Sequence, residues 1–329
     1  MNKNIKLFIN YFLGPVIFIV LCWSLYNQLR NQSDLEQRWI EIKQGWLRPA
    51  FWLVFIGMFI NWGIEALKWQ LLVRPLERFG FMKAFRSVLA GCSITMLTPN
   101  RVGEYGGRIL YVSEQNRLAA IPLTILGSIS QLFVTVVLGT IGLMVFKFFI
   151  TSNTALFQLV PDLAGQFLLY SSIFSSLVLA LFYFRAGTAI KILLLIPYLK
   201  RLTKYLHFMY EFSQKQLLRI LMLSILRYLV FILQYVLLLQ IMQVYVPLAD
   251  CFWLLSIFYL VMTMAPTIGF TELPLRAAAS VQLLSVYSNN VVGMQAASLS
   301  IWIINLVIPA IAGSLLILGI KIMKGNETT

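Results

Sequence analysis

Two polar cassettes stand inside strongly apolar surroundings, and their residue types are those that bind anions within a membrane. The first reads Thr98-Pro99-Asn100-Arg101-Val102-Gly103-Glu104-Tyr105-Gly106-Gly107-Arg108, and the second reads Ala265-Pro266-Thr267-Ile268-Gly269-Phe270-Thr271-Glu272-Leu273-Pro274-Leu275-Arg276. Both run Pro, Gly, Glu, Arg, with each Glu four residues ahead of its Arg, a spacing that places the two side chains on one helical face. Pro99 and Pro266 each remove a backbone donor, and Gly103 and Gly269 permit backbone angles that other residues avoid. A helix should therefore break just before Glu104 and just before Glu272. Broken helices carrying charge, one in each half of a membrane protein, mark a transport site.

The chemistry of these residues points to an anion. Charge in hydrocarbon is costly, so ionisable groups at such breaks are functional candidates by default. Glu104 and Glu272 are the only carboxylates in the two tips, and Arg101, Arg108 and Arg276 give the region a positive excess. Guanidinium groups grip phosphate oxygens in a fork that an ammonium cannot match. Half-helices beginning after Gly103 and Gly269 would aim unpaired backbone donors and a positive dipole end at the same place. Arg227, about eight residues inside its span from Arg219, is too deep for comfortable exposure to lipid. The candidate substrate-binding set is thus Arg101, Glu104, Arg108, Arg227, Glu272 and Arg276. An alternative role for Glu104 with Arg108 and Glu272 with Arg276 is as internal ion pairs that only hold the tips closed, which leaves Arg101 without a partner at this spacing. Glu65 has Lys68 three residues on as a local partner, and Gln131, Gln234 and Asn305 are explained as interhelical hydrogen bonds.

Elements of membrane-spanning length must position these groups. The chain has 329 residues, 60% hydrophobic and only 12% charged, against about a quarter charged in a soluble domain. Apolar runs at about 11 to 29, 51 to 72, 120 to 149, 163 to 184, 220 to 243 and 296 to 320 reach or approach the ~20 residues that cross ~30 Å of hydrocarbon. Two more, 84 to 97 and 251 to 265, are too short to cross alone. The first run has no small-residue cleavage site after it and reads as an uncleaved anchor. The formal charge of +14 is explained by placement at a membrane and not by nucleic acid. Arg185, Lys191, Lys200, Arg201, Lys204, Lys215 and Arg219 crowd one loop, while 151 to 162 has no Lys or Arg, as the positive-inside rule and anionic headgroups require.

Parity then selects a topology. If 84 to 97 crossed fully, the basic loop 185 to 219 would lie outside. If 84 to about 112 instead dips in from the inside, and 251 to about 287 dips in from the outside, every strongly basic segment is cytoplasmic. The expected fold is all-α and polytopic, with six full spans and two re-entrant helical hairpins in one transmembrane domain. Residues 1–155 and 156–329 form its two inverted halves, and both termini are cytoplasmic. Hairpin tips at membrane depth must be buried in protein or line a shared wet cavity. A reading in which each hairpin is a pair of short spans keeps the same parity and site. Stripes at Leu35, Trp39, Ile42 and Trp46 and at Leu202, Tyr205, Leu206, Met209 and Phe212 suit helices that lie on the membrane plane or pack on the bundle.

Several chemistries are excluded or weakened. His207 is the only histidine, so a His-dependent metal site or a Ser-His-Asp triad is not expected. Cys22, Cys92 and Cys251 lie in or beside apolar runs without CxxC spacing and read as small buried hydrophobes. No G-x-x-x-x-G-K-[ST] sequence occurs, so ATP is not expected as an energy source within this chain. No cofactor or metal is expected.

The run Glu65-Ala66-Leu67-Lys68-Trp69-Gln70-Leu71-Leu72-Val73-Arg74-Pro75, followed by Leu97-Thr98-Pro99-Asn100-Arg101-Val102-Gly103-Glu104 and by Ala265-Pro266-Thr267-Ile268-Gly269 with Glu272, resembles the membrane region of lysylphosphatidylglycerol synthases and its free-standing homologues. The resemblance covers most of the chain and implies a lipid flippase of the cell (inner) membrane. The cytoplasmic aminoacyl-transferase domain of full-length synthases is missing, so aminoacylation is not expected. Free-standing members are associated with glycolipid or polyprenyl-phosphate pathways. The resemblance thus allows a glyco-, aminoacyl-phospho- or polyprenyl-phosphate lipid as cargo and makes lipid- or glycan-synthesising enzymes candidate partners. A transporter of phosphate-bearing lipid is the leading expectation. The rival is an intramembrane headgroup-transfer enzyme using Glu104 or Glu272, which lacks a nucleophile or metal set at recognisable spacing. A scaffold without substrate would leave Arg101 and Arg227 without a purpose.

Overall fold

The computed structural model describes residue 23 and residues 35–96, 98, 103–150, 162–185, 212–264 and 272–326, and every regular element among them is helical. The run 11 to 29 apart from residue 23, most of the basic loop, the stripe from Leu202 to Met209, and the residues Pro99, Arg101, Pro266 and Gly269 lie outside them. The elements are α1 (Leu35–Leu47), α2 (Pro49–Val73), α3 (Phe81–Thr95), α4 (Gly103–Ile109), α5 (Arg117–Val145), α6 (Asp162–Phe184), α7 (Gln214–Ile241), α8 (Leu248–Met264), α9 (Glu272–Leu284), α10 (Val291–Trp302) and α11 (Ile308–Asn326). A π-helical turn follows α5, and another joins α10 to α11.

Five stretches among the described residues are long and apolar enough to cross a membrane: Pro49–Val73, Glu114–Phe148, Gly165–Phe184, Gln214–Ile241 and Val291–Gly319. They fall on the apolar runs expected to cross. The chain is a polytopic, all-helical membrane protein. At 1.5 Å per residue the 15 residues of α3 reach only about 23 Å, and the 17 of α8 stand at the short end of what crosses a bilayer. Local chemistry sets several starts. Pro49 opens α2, where a missing N–H costs nothing. Ser213 and Gln216 form a capping box on α7, and Asn290 Oδ1 takes the Gly293 N–H at 3.0 Å to cap α10.

Packing is exchanged between the two parts of the chain. Helices α2 and α7 lie against each other; α3 packs on α11, and α8 packs on α5. Both of these last crossings use glycine to bring backbones together. A Cβ at Gly139 would sit 2.5 Å from Leu260 Cβ, and one at Gly313 would overlap the Leu89 carbonyl. Small residues serve this purpose in lipid, where apolar packing alone gives little drive. Ser93 and Ser314 share a hydrogen bond of 2.8 Å across the α3–α11 crossing.

Each pair of short helices is stapled at its base. Glu77 accepts from Lys83 Nζ at 2.9 Å, Ser113 N at 3.1 Å and Asn116 Nδ2 at 3.3 Å, tying the entry of α3 to the exit of α4. Burial works against this carboxylate, but the hydrogen bonds from Ser113, Lys83 and Asn116 win and hold it at about 2. At the other pair, Tyr287 donates to Asp250 Oδ2 at 2.9 Å and joins the exit of α9 to the entry of α8.

Gln131 and Gln234 bond between helices, to Ser224 O at 3.5 Å and to Val54 O at 2.7 Å. Asn305 corrects the expectation for it: its amide donates at 3.4 Å to Ile301 O of its own helical run. It sits in the π-helical turn Ile303–Val307, where the altered hydrogen-bond ladder opens a local acceptor.

Candidate anion-binding site

Glu65 lies in the buried interior of α2, 2% exposed, and is the centre of a charge cluster. Its Oε1 accepts from Arg108 Nη2 at 2.7 Å, and its Oε2 accepts from both Lys68 Nζ and Arg227 Nη1 at 2.7 Å. Arg108, on α4, also donates to Glu104 one helical turn away. Arg227, on α7, spends its Nε on Asn61 Oδ1 at 2.7 Å. Lys68 reaches Ser224 Oγ at 3.5 Å, and Ser224 meets Ser130 of α5 at 2.8 Å. Helices α2, α4 and α7 thus converge on one carboxylate, and α5 joins the network through Ser130.

Helix α4 reaches this position because its backbone can come very close to α3. A Cβ at Gly107 would overlap the Ala90 carbonyl, and one at Gly91 would lie 3.0 Å from the Arg108 side chain. Thr98 Oγ1 accepts the Gly103 N–H at 2.7 Å and so holds the first turn of α4. Trp69 and Trp62 then present ring faces to the guanidinium carbons of Arg108, at 5.4 Å, and Arg227, at 5.1 Å, which stabilises cations withdrawn from water.

Charge and hydrogen bonding in the cluster both leave a remainder, a positive charge and an excess of donors. Three cations, Lys68, Arg108 and Arg227, face two carboxylates, Glu65 and Glu104, so one positive charge is in excess. Among the described residues four buried donors here have no hydrogen-bond partner, Asn61 Nδ2, Trp62 Nε1, Trp69 Nε1 and Arg108 Nε, against one acceptor, Gln131 Oε1, beside Ser224. All four are donors only. The matching ligand carries negative charge and many acceptors. The reachable members are Glu104, whose side chain is 23% exposed, and Arg227, at 14%, against 2–3% for Glu65, Lys68 and Arg108.

Of the residues expected at the site, Glu104, Arg108 and Arg227 meet here. Glu272 and Arg276 form their own buried pair on α9, Nε to Oε1 at 2.6 Å, and Arg276 is not among the cations around Glu65. The i,i+4 pairings expected in both cassettes are therefore present. Sequence reasoning missed Glu65, Lys68 and Asn61 as members. The available signal was a carboxylate deep inside a span, which the nearby Lys68 was taken to answer. Among the described residues no group of three His, Cys, Asp or Glu stands together to hold a metal ion.

The family described as the lysylphosphatidylglycerol synthase TM region matches residues 11–313, and the chain belongs to it. That family is a membrane domain associated with lipid-related flippase and synthase function. No curated protein and no solved structure matches the chain.

Proposed function

We propose that this member of the lysylphosphatidylglycerol synthase TM region family is a transporter that moves a phosphate-bearing lipid between leaflets, with the headgroup held at the Glu65 cluster. The observation that carries this reading is the remainder described above: one surplus positive charge and four donor-only groups without partners, in a buried cluster whose reachable cation is Arg227. A phosphate offers negative charge and only acceptors, and Arg is the side chain best shaped to take it. Arg101, in the same cassette, is proposed to extend the positive entrance. Glu104 orients Arg108, and Glu272 with Arg276 forms the paired counterpart in the other half.

Residues 1–155 and 156–329 are proposed to be inverted repeats. The exchanged packing of α3 on α11 and of α8 on α5 supports this, as do the stapled bases of both short-helix pairs. The distribution of Lys and Arg supports cytoplasmic termini in the inner membrane. Lipid- or glycan-synthesising enzymes would supply or consume the cargo.

The test is purified protein in liposomes with a labelled anionic phospholipid and an external quencher. The wild type should speed exposure of the label without covalent change in the lipid. Arg227→Ala should slow it at least tenfold yet change thermal stability little, because Glu65 keeps Lys68 and Arg108. Unaltered movement in Arg227→Ala would remove the phosphate from this cluster. Chemically altered lipid without faster exposure would favour the headgroup-transfer enzyme.

A further inference from the structure

The spare donors around Glu65 fall into two groups, and one of them frames a site smaller than a lipid headgroup. Arg227 is held from α2 in two ways: its Nε donates to Asn61 Oδ1 at 2.7 Å, and the Trp62 ring stands 5.1 Å from its guanidinium carbon. Asn61 and Trp62 each keep a buried N–H, on Nδ2 and Nε1, that no acceptor meets. Because Asn61 Oδ1 is committed to a cation, the amide cannot exchange its two ends, and Nδ2 stays a donor. Trp69 Nε1 and Arg108 Nε make up the other group, beside an arginine only 2% exposed. Arg227, at 14%, is the cation that an ion from outside can reach.

Burial and charge together select the ligand for the first group. Asn61 is 0% and Trp62 8% exposed, so a phosphodiester with its two ester arms meets Arg227 at the exposed edge, whereas the donors behind it suit an ion without substituents. Water fits by size but not by chemistry. It brings two O–H donors of its own, and the cluster has one spare acceptor, Gln131 Oε1. Water also leaves the surplus positive charge of Lys68, Arg108 and Arg227 over Glu65 and Glu104 unmatched, which is costly in a buried place. A monatomic anion supplies one negative charge, accepts from any direction and donates nothing.

We propose that Arg227, Asn61 Nδ2 and Trp62 Nε1 bind a halide ion. The inference rests on the Glu65 cluster being the anion site proposed above, and it gives that site a second ligand and a means of regulation. A halide beside Arg227 cancels the surplus charge that draws in a lipid phosphate, so the two anions compete and salt composition sets lipid affinity.

The test heats detergent-purified protein in sodium chloride, sodium bromide or sodium gluconate at one ionic strength, and follows binding of a fluorescent phosphatidylglycerol by anisotropy in the same salts. At a halide concentration about ten times its dissociation constant, the unfolding midpoint should stand about 4 °C above that in gluconate and lipid affinity should fall about tenfold. Trp62→Phe keeps a ring over Arg227 and removes the N–H, so it should raise the half-saturating chloride concentration about tenfold. Asn61→Leu gives the same reading should Trp62→Phe fail to fold, and the wild-type comparison of salts decides even without variants. Equal midpoints in the three salts, with lipid binding that is lost in Arg227→Ala, overturn the halide site and leave the phosphate reading standing. A salt effect that never saturates, or that both variants retain in full, comes from bulk salt or an adventitious ion only and overturns the site as well. Saturable stabilisation by halide with no lipid bound in any salt keeps the ion site and removes the phosphate lipid from it. Neither response overturns both readings.

Discussion

Replacing Glu65 with Gln keeps the shape of the side chain and removes the charge on which three cations converge. Breaking one buried ion pair costs roughly 3 to 5 kcal/mol, because the surviving charge is stranded. In this case none of the three is left wholly alone: Arg108 retains Glu104, Arg227 retains Asn61, and Lys68 retains Ser224. Three simultaneous partial losses still place the total near the upper end of that range, about 5 kcal/mol. At roughly 2 to 4 °C per kcal/mol for larger domains, the midpoint should fall by about 10 °C or more. Glu104→Gln removes one of the two carboxylates on Arg108 and leaves the other, so it should cost nearer the ~1 kcal/mol of a single hydrogen bond, or about 3 °C. Adding Lys68→Met to Glu65→Gln removes one stranded cation and should recover part of the loss. The assay is the fraction of monodisperse protein surviving a heating series in detergent, followed by tryptophan fluorescence on a sizing column. If Glu104→Gln destabilises as much as Glu65→Gln, or if Lys68→Met gives no recovery in the Glu65→Gln background, Glu65 is not the centre that organises these helices.

Two further outcomes are expected. Because the Glu77 carboxylate is held at about 2 in the fold against an ordinary 4.5, its contribution is complete above about 4.5 and is lost as pH falls from there toward 2. The stability gap between wild type and Glu77→Gln, read by thermal unfolding, should therefore be open at pH 7 and close across that interval; a constant gap would show that the staple does not depend on the charge. In a cysteine-free background, Asn289→Cys should react with an impermeant thiol reagent from outside intact cells and Lys83→Cys should not, since the proposed inverted halves place the two at the bases of oppositely inserted hairpins. Labelling of both from outside would end the inverted-repeat proposal.

The spans were legible because length and apolarity alone decide what can cross a bilayer, and the described helices begin and end within a few residues of the runs read from sequence. The pairings of Glu104 with Arg108 and Glu272 with Arg276 were legible because i,i+4 geometry is intrinsic to a helix. The Glu65 cluster was not. Its partners Arg108 and Arg227 are 43 and 162 residues away, and only the packing of α4 and α7 on α2 brings them within reach, so the local partner Lys68 masked the distant ones.

A transporter must hold its cargo firmly enough to admit it and loosely enough to release it, and the distribution of charge in the Glu65 cluster suits that balance. Were Lys68, Arg108 and Arg227 unopposed, a phosphate would meet three cations in a low-dielectric interior and would be retained. Were they fully neutralised, no drive for entry would remain. Glu65 and Glu104 cancel two of the three charges, so the ligand sees a single surplus positive charge spread over a hydrogen-bonded network. The same arrangement links occupancy to shape. A phosphate at Arg227 competes with Glu65 for that guanidinium, and any shift of Glu65 is felt by Arg108, the side chain through which α4 is tied to α2. On the proposed transporter reading, binding at one helix would thereby loosen or tighten the attachment of α4, the element that would have to move if the site is to face the two leaflets in turn.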